Sequence, residues 1–345
     1  MVSHMKAWRY SVVHGKLEDS LVLSESVPAP ENSALAVDQL LIQVISAALN
    51  PVDYKLPEAP VVGRIMIKRP ATPGLDFAGR IVATHPNNKD FREGQLVFGG
   101  LSHSSQYGTL GQFIVAKSSE CALLPTGVNP DDAASVGTAG TSALQALPTA
   151  IVKPGAKVFI NGGSGGVGTW TVQFAKVLGA HIVTTCSTSN VSRCERLGAD
   201  EVIDYTKVDL VEELKRRGDV YDLIVDNVGN NPALYSNSNI LLKPGGSLIQ
   251  VGVGAGLSFK GIFASAAKQM AQYLPGARGY HFIQMDNNSK SFLQIGQWLV
   301  EGKVRAHVDT SFGWEDVPAA FRKLREGHVK DKLVIRIPNE SVIEE

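Results

Sequence analysis

Lys157-Val158-Phe159-Ile160-Asn161-Gly162-Gly163-Ser164-Gly165-Gly166-Val167-Gly168 runs from an apolar strand pattern straight into a glycine-rich turn. A segment of helical character, Thr169 to Leu178, leaves the turn, so the local order is strand, loop, helix. Gly163-Ser164-Gly165-Gly166-Val167-Gly168 completes the pattern G-x-G-x-x-G. In such a pattern the first glycine permits the tight turn, the second lets a pyrophosphate approach the backbone, and the third lets helix lie against strand. Amide groups at the helix start then face the anion. A glycine-rich structural turn is the plain alternative, but the flanking strand and helix are the context a dinucleotide cradle requires.

The same rhythm continues downstream. Strands are expected at His181–Thr185, Glu201–Asp204, Tyr221–Asp226 and Gly246–Val251, with helices around Ser189–Leu197 and Leu210–Arg217. Short apolar strands alternating with amphipathic helices need cover on both faces, which a doubly wound parallel α/β sheet of Rossmann type supplies. The tail adds a helix from Ser289 to Val300, a strand Arg305–Asp309, a helix Val317–Arg325 and a strand Lys332–Ile337. Before residue 126 the pattern is different. Strand-like runs Leu40–Ile45, Gly79–Ala83 and Gln95–Phe98 are separated by turns, and prolines at 28, 30, 51, 57, 60, 70, 73 and 86 interrupt any helix. An irregular, partly open β-barrel fits this half.

The chain has 345 residues, which favours two domains over one core. Its 33 basic residues balance 33 acidic ones, so nucleic acid is not expected as a partner, because phosphate neutralisation needs a cationic surplus. Cys121, Cys186 and Cys194 are odd in number and show no CxxC spacing, which fits reduced thiols better than a disulfide or cysteine-zinc framework. No run approaches the ~20 apolar residues of a membrane span. Lys6 and Arg9 are followed by no apolar block, so a cytoplasmic address is the expectation.

The ribose end of the dinucleotide is specified by the second strand. An NAD site places Asp or Glu about 20 residues past the glycines, accepting from the ribose hydroxyls. Here that strand ends in Cys186-Ser187-Thr188-Ser189-Asn190, without a carboxylate. Hydroxyl and amide groups at Ser187, Thr188 and Asn190 can instead donate to a 2′-phosphate. Arg193 can add a charge-assisted bond, worth roughly 1.5–3 kcal/mol, and Tyr205 can close over the same corner. Together these point to NADPH, although Ser187 or Ser189 alone would equally serve as a helix cap.

These residues resemble the medium-chain dehydrogenase/reductases, and within them the zinc-free quinone oxidoreductase-like branch. The resemblance covers nearly the whole chain. It rests on Ala48-Leu49-Asn50-Pro51-Val52-Asp53-Tyr54-Lys55, Pro73-Gly74-Leu75-Asp76-Phe77-Ala78-Gly79, Asn161–Gly168, Leu197–Tyr205 and Glu301-Gly302-Lys303-Val304. Chloroplast-envelope quinone oxidoreductase homologues, reticulon-interacting mitochondrial reductases and fungal trans-acting enoyl reductases are the similar groups. The resemblance implies a GroES-like catalytic domain from residues 1–125 and 286–345, a Rossmann domain at 126–285, and a homodimer. It also implies cofactor contacts at Thr141, at Asn227-Val228-Gly229 and Val251-Gly252 after their strands, and at Lys332. Zinc-dependent members place their first catalytic cysteine where this chain has Asn50, a histidine at Leu75 and a second cysteine near Thr138. No metal is therefore expected.

Without a Lewis acid to polarise a simple carbonyl, hydride transfer needs an acceptor that is already electrophilic. A small hydrophobic enone, an enoyl thioester or a quinone meets that need. Asn50, Asp53, Tyr54 and Lys55 fall where the family's cleft residues fall. Tyr54 or Lys55 would donate to the developing oxyanion and Asn50 would orient a carbonyl, while Asp53 has a structural anchor as its alternative. Two apolar segments, Pro57–Pro70 and Ala255–Tyr280, with Phe259, Ile262, Phe263, Met270 and Tyr273 in the second, would line a substrate pocket or pack a dimer face. Three functions fit: a reductase of free enones or quinones, a trans-acting enoyl reductase for carrier-bound polyketide intermediates, and a non-catalytic NADPH-binding protein.

Overall fold

The computed structural model describes residues 4–102, 106–218, 220–229, 231–252, 270, 279–327 and 329–338. In chain order its elements begin with β1 (His4–Arg9), β2 (Val22–Pro28), β3 (Gln39–Ala48), α1 (Pro51–Glu58), α2 (Val62–Met66), β4 (Asp76–Thr84), β5 (Leu96–Gly100), β6 (Phe113–Lys117), β7 (Cys121–Leu123) and α3 (Pro130–Gln145). They continue with β8 (Lys157–Asn161), α4 (Gly166–Val177), β9 (His181–Cys186), α5 (Val191–Leu197), β10 (Glu201–Asp204), α6 (Leu210–Arg217), β11 (Tyr221–Asp226), α7 (Pro232–Ser236), α8 (Ser238–Leu241), β12 (Leu242–Gln250) and β13 (Gly279–Phe282). Last come α9 (Ser289–Val300), β14 (Val308–Phe312), α10 (Val317–Arg325) and β15 (Lys332–Arg336). The chain divides into two compact units, Met1–Thr141 with Met285–Glu345, and Ser142–Gln284.

The first unit is built from both ends of the chain. Its seven-stranded sheet runs β14-β15-β3-β4-β5-β7, with β6 on β3, and β1 and β2 form a separate antiparallel pair. The last strand, β15, lies antiparallel to β3, with Val334 opposite Ala48. Phe98 of β5 and Phe292 of α9 meet edge to face at 5.6 Å, so residues distant in sequence share one core. The sequence pattern placed the first domain boundary at 125/126, yet the unit extends to Thr141. The reason is Asp131, near the start of α3, which accepts from Arg336 Nε of β15 at 2.7 Å and Ser311 Oγ of β14 at 3.2 Å.

Local differences from the sequence expectation have identifiable causes. The prolines do not exclude helix at 51–58, because Pro51 takes the first helical position, where a missing N–H costs nothing, and Pro57 falls in the last turn. The strand expected at Arg305–Asp309 lies at Val308–Phe312, where its register is set by parallel pairing with β15. Of the second apolar segment, Phe259, Ile262, Phe263 and Tyr273 lie outside the described residues.

In the second unit six parallel strands take the order β10-β9-β8-β11-β12-β13. This order reverses direction between β8 and β11, and ligands of open α/β sheets sit at the carboxyl ends of strands at such a reversal. Phe159, Val183, Ile203, Tyr221, Ile224 and Leu248 form its buried core. Helix α4 starts at Gly166 rather than Thr169, so the last glycines of the motif belong to its first turn. Among the described residues no helix is long and apolar enough to cross a membrane.

One ion cluster braces the first unit. Arg325 of α10 makes a two-pronged contact with Glu18, at 2.9 and 2.8 Å, and also pairs with Glu58 of α1. Its guanidinium carbon stands 4.2 Å from the centroid of the Tyr54 ring. Glu18 has a fully buried side chain, so removing its partner leaves an uncompensated charge in a dry site. Arg325→Met is expected to lower unfolding free energy by about 3–5 kcal/mol, measured by urea unfolding of the two proteins side by side. A loss below about 1 kcal/mol would show the cluster to be an ordinary surface pair.

Candidate active and cofactor site

In the second unit the cofactor candidates gather along the carboxyl edge of the sheet. The Gly162–Gly168 loop follows β8, Ser187, Thr188 and Asn190 follow β9, Tyr205 follows β10, Asn227, Val228 and Gly229 follow β11, and Val251 and Gly252 follow β12. Gly163, Ser164, Gly165, Gly166, Val167 and Gly168 lead into α4, whose first amides have no partners inside the helix. A Cβ at Gly168 would run into the Gly162 carbonyl oxygen, so this position is closed to any side chain. A Cβ at Gly165 would instead stand in open space, 4.0 Å from that same oxygen. One glycine is required by the fold and the other leaves room for a ligand.

A chain of buried polar side chains holds these loops in register. Gly162 N–H donates to Thr185 Oγ1 at 2.8 Å, Thr185 Oγ1 donates to Asn161 Oδ1 at 2.8 Å, and Asn161 Nδ2 donates to Asp226 Oδ1 at 2.8 Å. The same Asp226 oxygen accepts from Val228 N at 3.1 Å and Gly229 N at 3.0 Å. The glycine loop and the loop after β11 are thereby tied through three strand ends. Sequence reasoning passed over Asn161, Thr185 and Asp226; the available signal was a polar residue at or near the end of each otherwise apolar strand. Asn227 carries two buried side-chain atoms, Nδ2 and Oδ1, with no hydrogen-bond partner. An amide left so is costly unless a ligand completes it. The residues present thus fit a dinucleotide.

At the ribose end, Ser187 Oγ accepts from Asn190 Nδ2 at 3.1 Å, leaving its own proton to donate outward. Thr188 Oγ1 donates to Asp204 Oδ2 at 2.6 Å. The sequence pattern showed no carboxylate in this corner; the parallel pairing of Asp204 with Cys186 brings one there. Arg193, partly buried, lies in the first turn of α5, and Tyr205 is exposed.

In the first unit the catalytic candidates begin where β3 gives way to α1. Asp53 reaches back to accept from Asn50 N–H at 2.7 Å, closing the helix start. Asn50 Nδ2 donates to Asp76 Oδ2 at 2.8 Å. The other Asp76 oxygen accepts from Thr138 N at 2.8 Å and Thr138 Oγ1 at 2.6 Å, made possible by a break in α3 at Gly137. Lys332 Nζ donates to Leu49 O at 2.9 Å, to Asp76 Oδ2 at 3.1 Å and to Asn50 Oδ1.

Lys332, expected at the cofactor, has a side chain that is 4% exposed and donates to three acceptors inside the first unit. Thr141, expected at the nicotinamide, is fully buried with Oγ1 2.6 Å from Asn287 Oδ1. Tyr54 and Lys55 are half-buried. Burial raises the Tyr54 hydroxyl above its usual range and lowers the Lys55 ammonium below its own.

Asp53 is the most perturbed carboxyl of this group. Burial, reinforced by the nearby Asp76 charge, pushes it up to about 7. Its Oδ1 has no hydrogen-bond partner, and the residue lines a small cavity with Tyr10, Thr72 and Gly74.

A family model described as alcohol dehydrogenase GroES-like domain matches residues 36–127, and one described as zinc-binding dehydrogenase matches residues 197–335. The chain is 41% identical to the trans-enoyl reductase pgmF of Aspergillus terreus, over 97% of each chain. It is 32% identical to the zinc-type alcohol dehydrogenase-like protein C16A3.02c of Schizosaccharomyces pombe, over 96% of each. The solved quinone oxidoreductase from Coxiella burnetii superposes with a TM-score of 0.83 at 26% identity, covering 97% of this chain and 100% of that one.

The zinc in two of these descriptions does not fit the residues at hand. Asn50 and Asp76 offer hard oxygens and an amide rather than thiolate or imidazole, and the Lys332 ammonium already lies against both. Among the described residues no cluster of three or more His, Cys, Asp or Glu could hold a metal ion.

Two outcomes are expected. Gly165→Val should leave the fold intact while weakening nicotinamide-dinucleotide binding on the order of 100-fold, about 3 kcal/mol, read by nucleotide fluorescence titration. For Asp53, both states are protonated below about pH 4, whereas between about 4 and 7 only the folded state keeps its proton. Stability therefore falls as pH rises through that window, and Asp53→Asn should remove the fall, by a few kcal/mol. Parallel pH slopes for the two proteins in urea unfolding would refute the assignment.

Proposed function

We propose, starting from the fact that this chain belongs to the medium-chain dehydrogenase/reductase superfamily and is an oxidoreductase, that it uses NADPH to reduce an electrophilic acceptor without zinc. The acceptor is the C=C bond of an α,β-unsaturated carbonyl or a quinone, and the molecule is small and hydrophobic. The observation that carries this reading is the Lys332 ammonium seated between Asn50 and Asp76, at positions that hold the metal chemistry of zinc-dependent members. With those donors turned inward, a simple ketone would have no Lewis acid to polarise it. An acceptor whose own conjugation spreads the arriving charge needs none.

The glycine cradle would hold NADPH, whose chemistry there would be hydride supply to the acceptor's β-carbon or to the quinone. The chain's residues bind, orient and protonate. Backbone amides at Gly165–Gly168 hold the pyrophosphate. Ser187, Asn190, Arg193 and Tyr205 meet the 2′-phosphate, with Thr188 beside them, and the Asn227 amide together with Val228, Gly229, Val251 and Gly252 meets the nicotinamide end. Asp53 fixes the backbone at Asn50, whose amide, held by Asp76 and Lys332, braces the start of α1. Lys55, whose ammonium burial holds below its usual range, donates to the developing oxyanion, with Tyr54 as the second donor. Positioning of this kind can itself lower a barrier by several kcal/mol.

A second reading, reduction of carrier-bound enoyl thioesters in trans, draws support from the 41% identity with pgmF. Loss of absorbance at 340 nm with NADPH and free enones or ortho-quinones is the expected result. Turnover confined to a thioester-loaded carrier would move the conclusion to the second reading, and no turnover with any acceptor would leave a binding protein. Lys55→Met should lower kcat at least about tenfold with little change in NADPH affinity. Arg193→Ala and Ser187→Ala should each erode the NADPH-over-NADH preference, measured as the ratio of kcat/KM values.

A further inference from the structure

The corner assigned to the 2′-phosphate contains a carboxylate that the strand after the glycine loop does not supply. Asp204 closes β10, and its register places it beside Cys186, the last residue of β9. From there the carboxylate reaches the loop beyond β9. Oδ2 accepts from Thr188 Oγ1 at 2.6 Å, and Oδ1 accepts from Thr206 Oγ1 at 2.6 Å and Thr206 N at 3.1 Å. Lys207 Nζ pairs with Oδ2 at 3.5 Å, but its side chain is 66% exposed, so this solvent-screened pair offsets the charge only weakly. The hydrogen bonds from Thr188 and Thr206 hold the carboxyl down at about 2, so it is ionised throughout the working range.

This arrangement has two effects on a dianionic ligand. The negative charge stands one side chain away from the loop that would hold the phosphate. It also takes the Thr188 proton, and Thr188 Oγ1 lies 3.0 Å from Thr206 Oγ1, so Thr188 has only acceptor capacity to offer where a phosphate needs a donor. NADH, with a hydroxyl in place of the phosphate, meets neither penalty. We propose that Asp204 is a specificity-determining residue that restrains the preference for NADPH over NADH, acting by its charge and through Thr188. The proposal rests on the reading that the cradle binds a dinucleotide with its ribose at Ser187–Asn190.

Asp204→Asn keeps the shape and removes the charge. Its amide can donate to Thr188 Oγ1, which returns the Thr188 proton to the ligand side. Asp204→Ser removes the carboxylate by a different route and guards against one variant folding poorly. Dissociation constants of NADPH and NADH, taken from nucleotide fluorescence at one fixed ionic strength, are compared for wild type and both variants. The expected result is NADPH binding tighter by about tenfold in the variants, the size of a nearby unit charge at a partly solvated site, with NADH within a factor of two. An unchanged NADH-to-NADPH ratio, or NADPH binding that weakens, overturns the role of Asp204. Loss of NADH binding in both variants shows Asp204 to be a brace for the loop, which also overturns it. A wild-type chain that binds neither nucleotide refutes the cofactor reading itself, whereas one that binds both with a ratio insensitive to residue 204 refutes this proposal alone.

Discussion

Everything in the first unit is arranged around an ammonium enclosed with a carboxylate. Lys332 and Asp76 are almost wholly shielded from solvent, and neither could be buried alone without a penalty of several kcal/mol. Their burial is tolerable because each remaining lone pair and proton has a partner: Asn50, Leu49 and both donors of Thr138. Such saturation demands that β3, β4, α3 and β15 meet within tenths of an ångström. A hydrophobic replacement of similar volume would not fix the Asn50 amide in one orientation. The polar cluster therefore sets geometry more than it adds stability.

The second unit solves a related problem differently. Its ligand-facing loops lie beyond the sheet, where backbone hydrogen bonding ends and positions would otherwise drift. The Thr185–Asn161–Asp226 chain extends the order of the sheet by one further row, made of side chains. Loop amides after β8 and β11 are held as firmly as strand residues. A preorganised row of donors of this kind loses little further freedom when a ligand arrives.

How much of this was legible in the sequence depended on how local the determinants were. The strand, glycine turn and helix at β8 and α4 were readable because the spacing and its flanks lie within about twenty residues of one another. Strand–helix alternation likewise gave the parallel sheet. What escaped was whatever depends on pairing across the fold. Asp204 is invisible to a search of the loop after β9, because the neighbouring strand delivers it. The partnership of Lys332 with Asp76 is hidden in the same way, because nothing in the last segment reveals it. Proline counting suggested that no helix could form at 51–58, since it weighs residue type without position in the turn. The first boundary fell late because Asp131 is held by strands from the far end of the chain. Pairing partners decide these points, and a single sequence does not display them.

The joining of both chain ends in one sheet has a consequence for biosynthesis. The whole of the second unit leaves the ribosome before β15 and Lys332 exist outside the exit tunnel. Until then the β3 edge that β15 covers lacks its strand, and Asp76 has no cation to be sealed against. The nascent N-terminal segment must therefore stay hydrated and unfinished while the nucleotide-type unit, whose strand contacts are all internal to Ser142–Gln284, is free to complete. Domains whose segments are contiguous can fold as they emerge; here the first unit is obliged to wait until β15 has emerged.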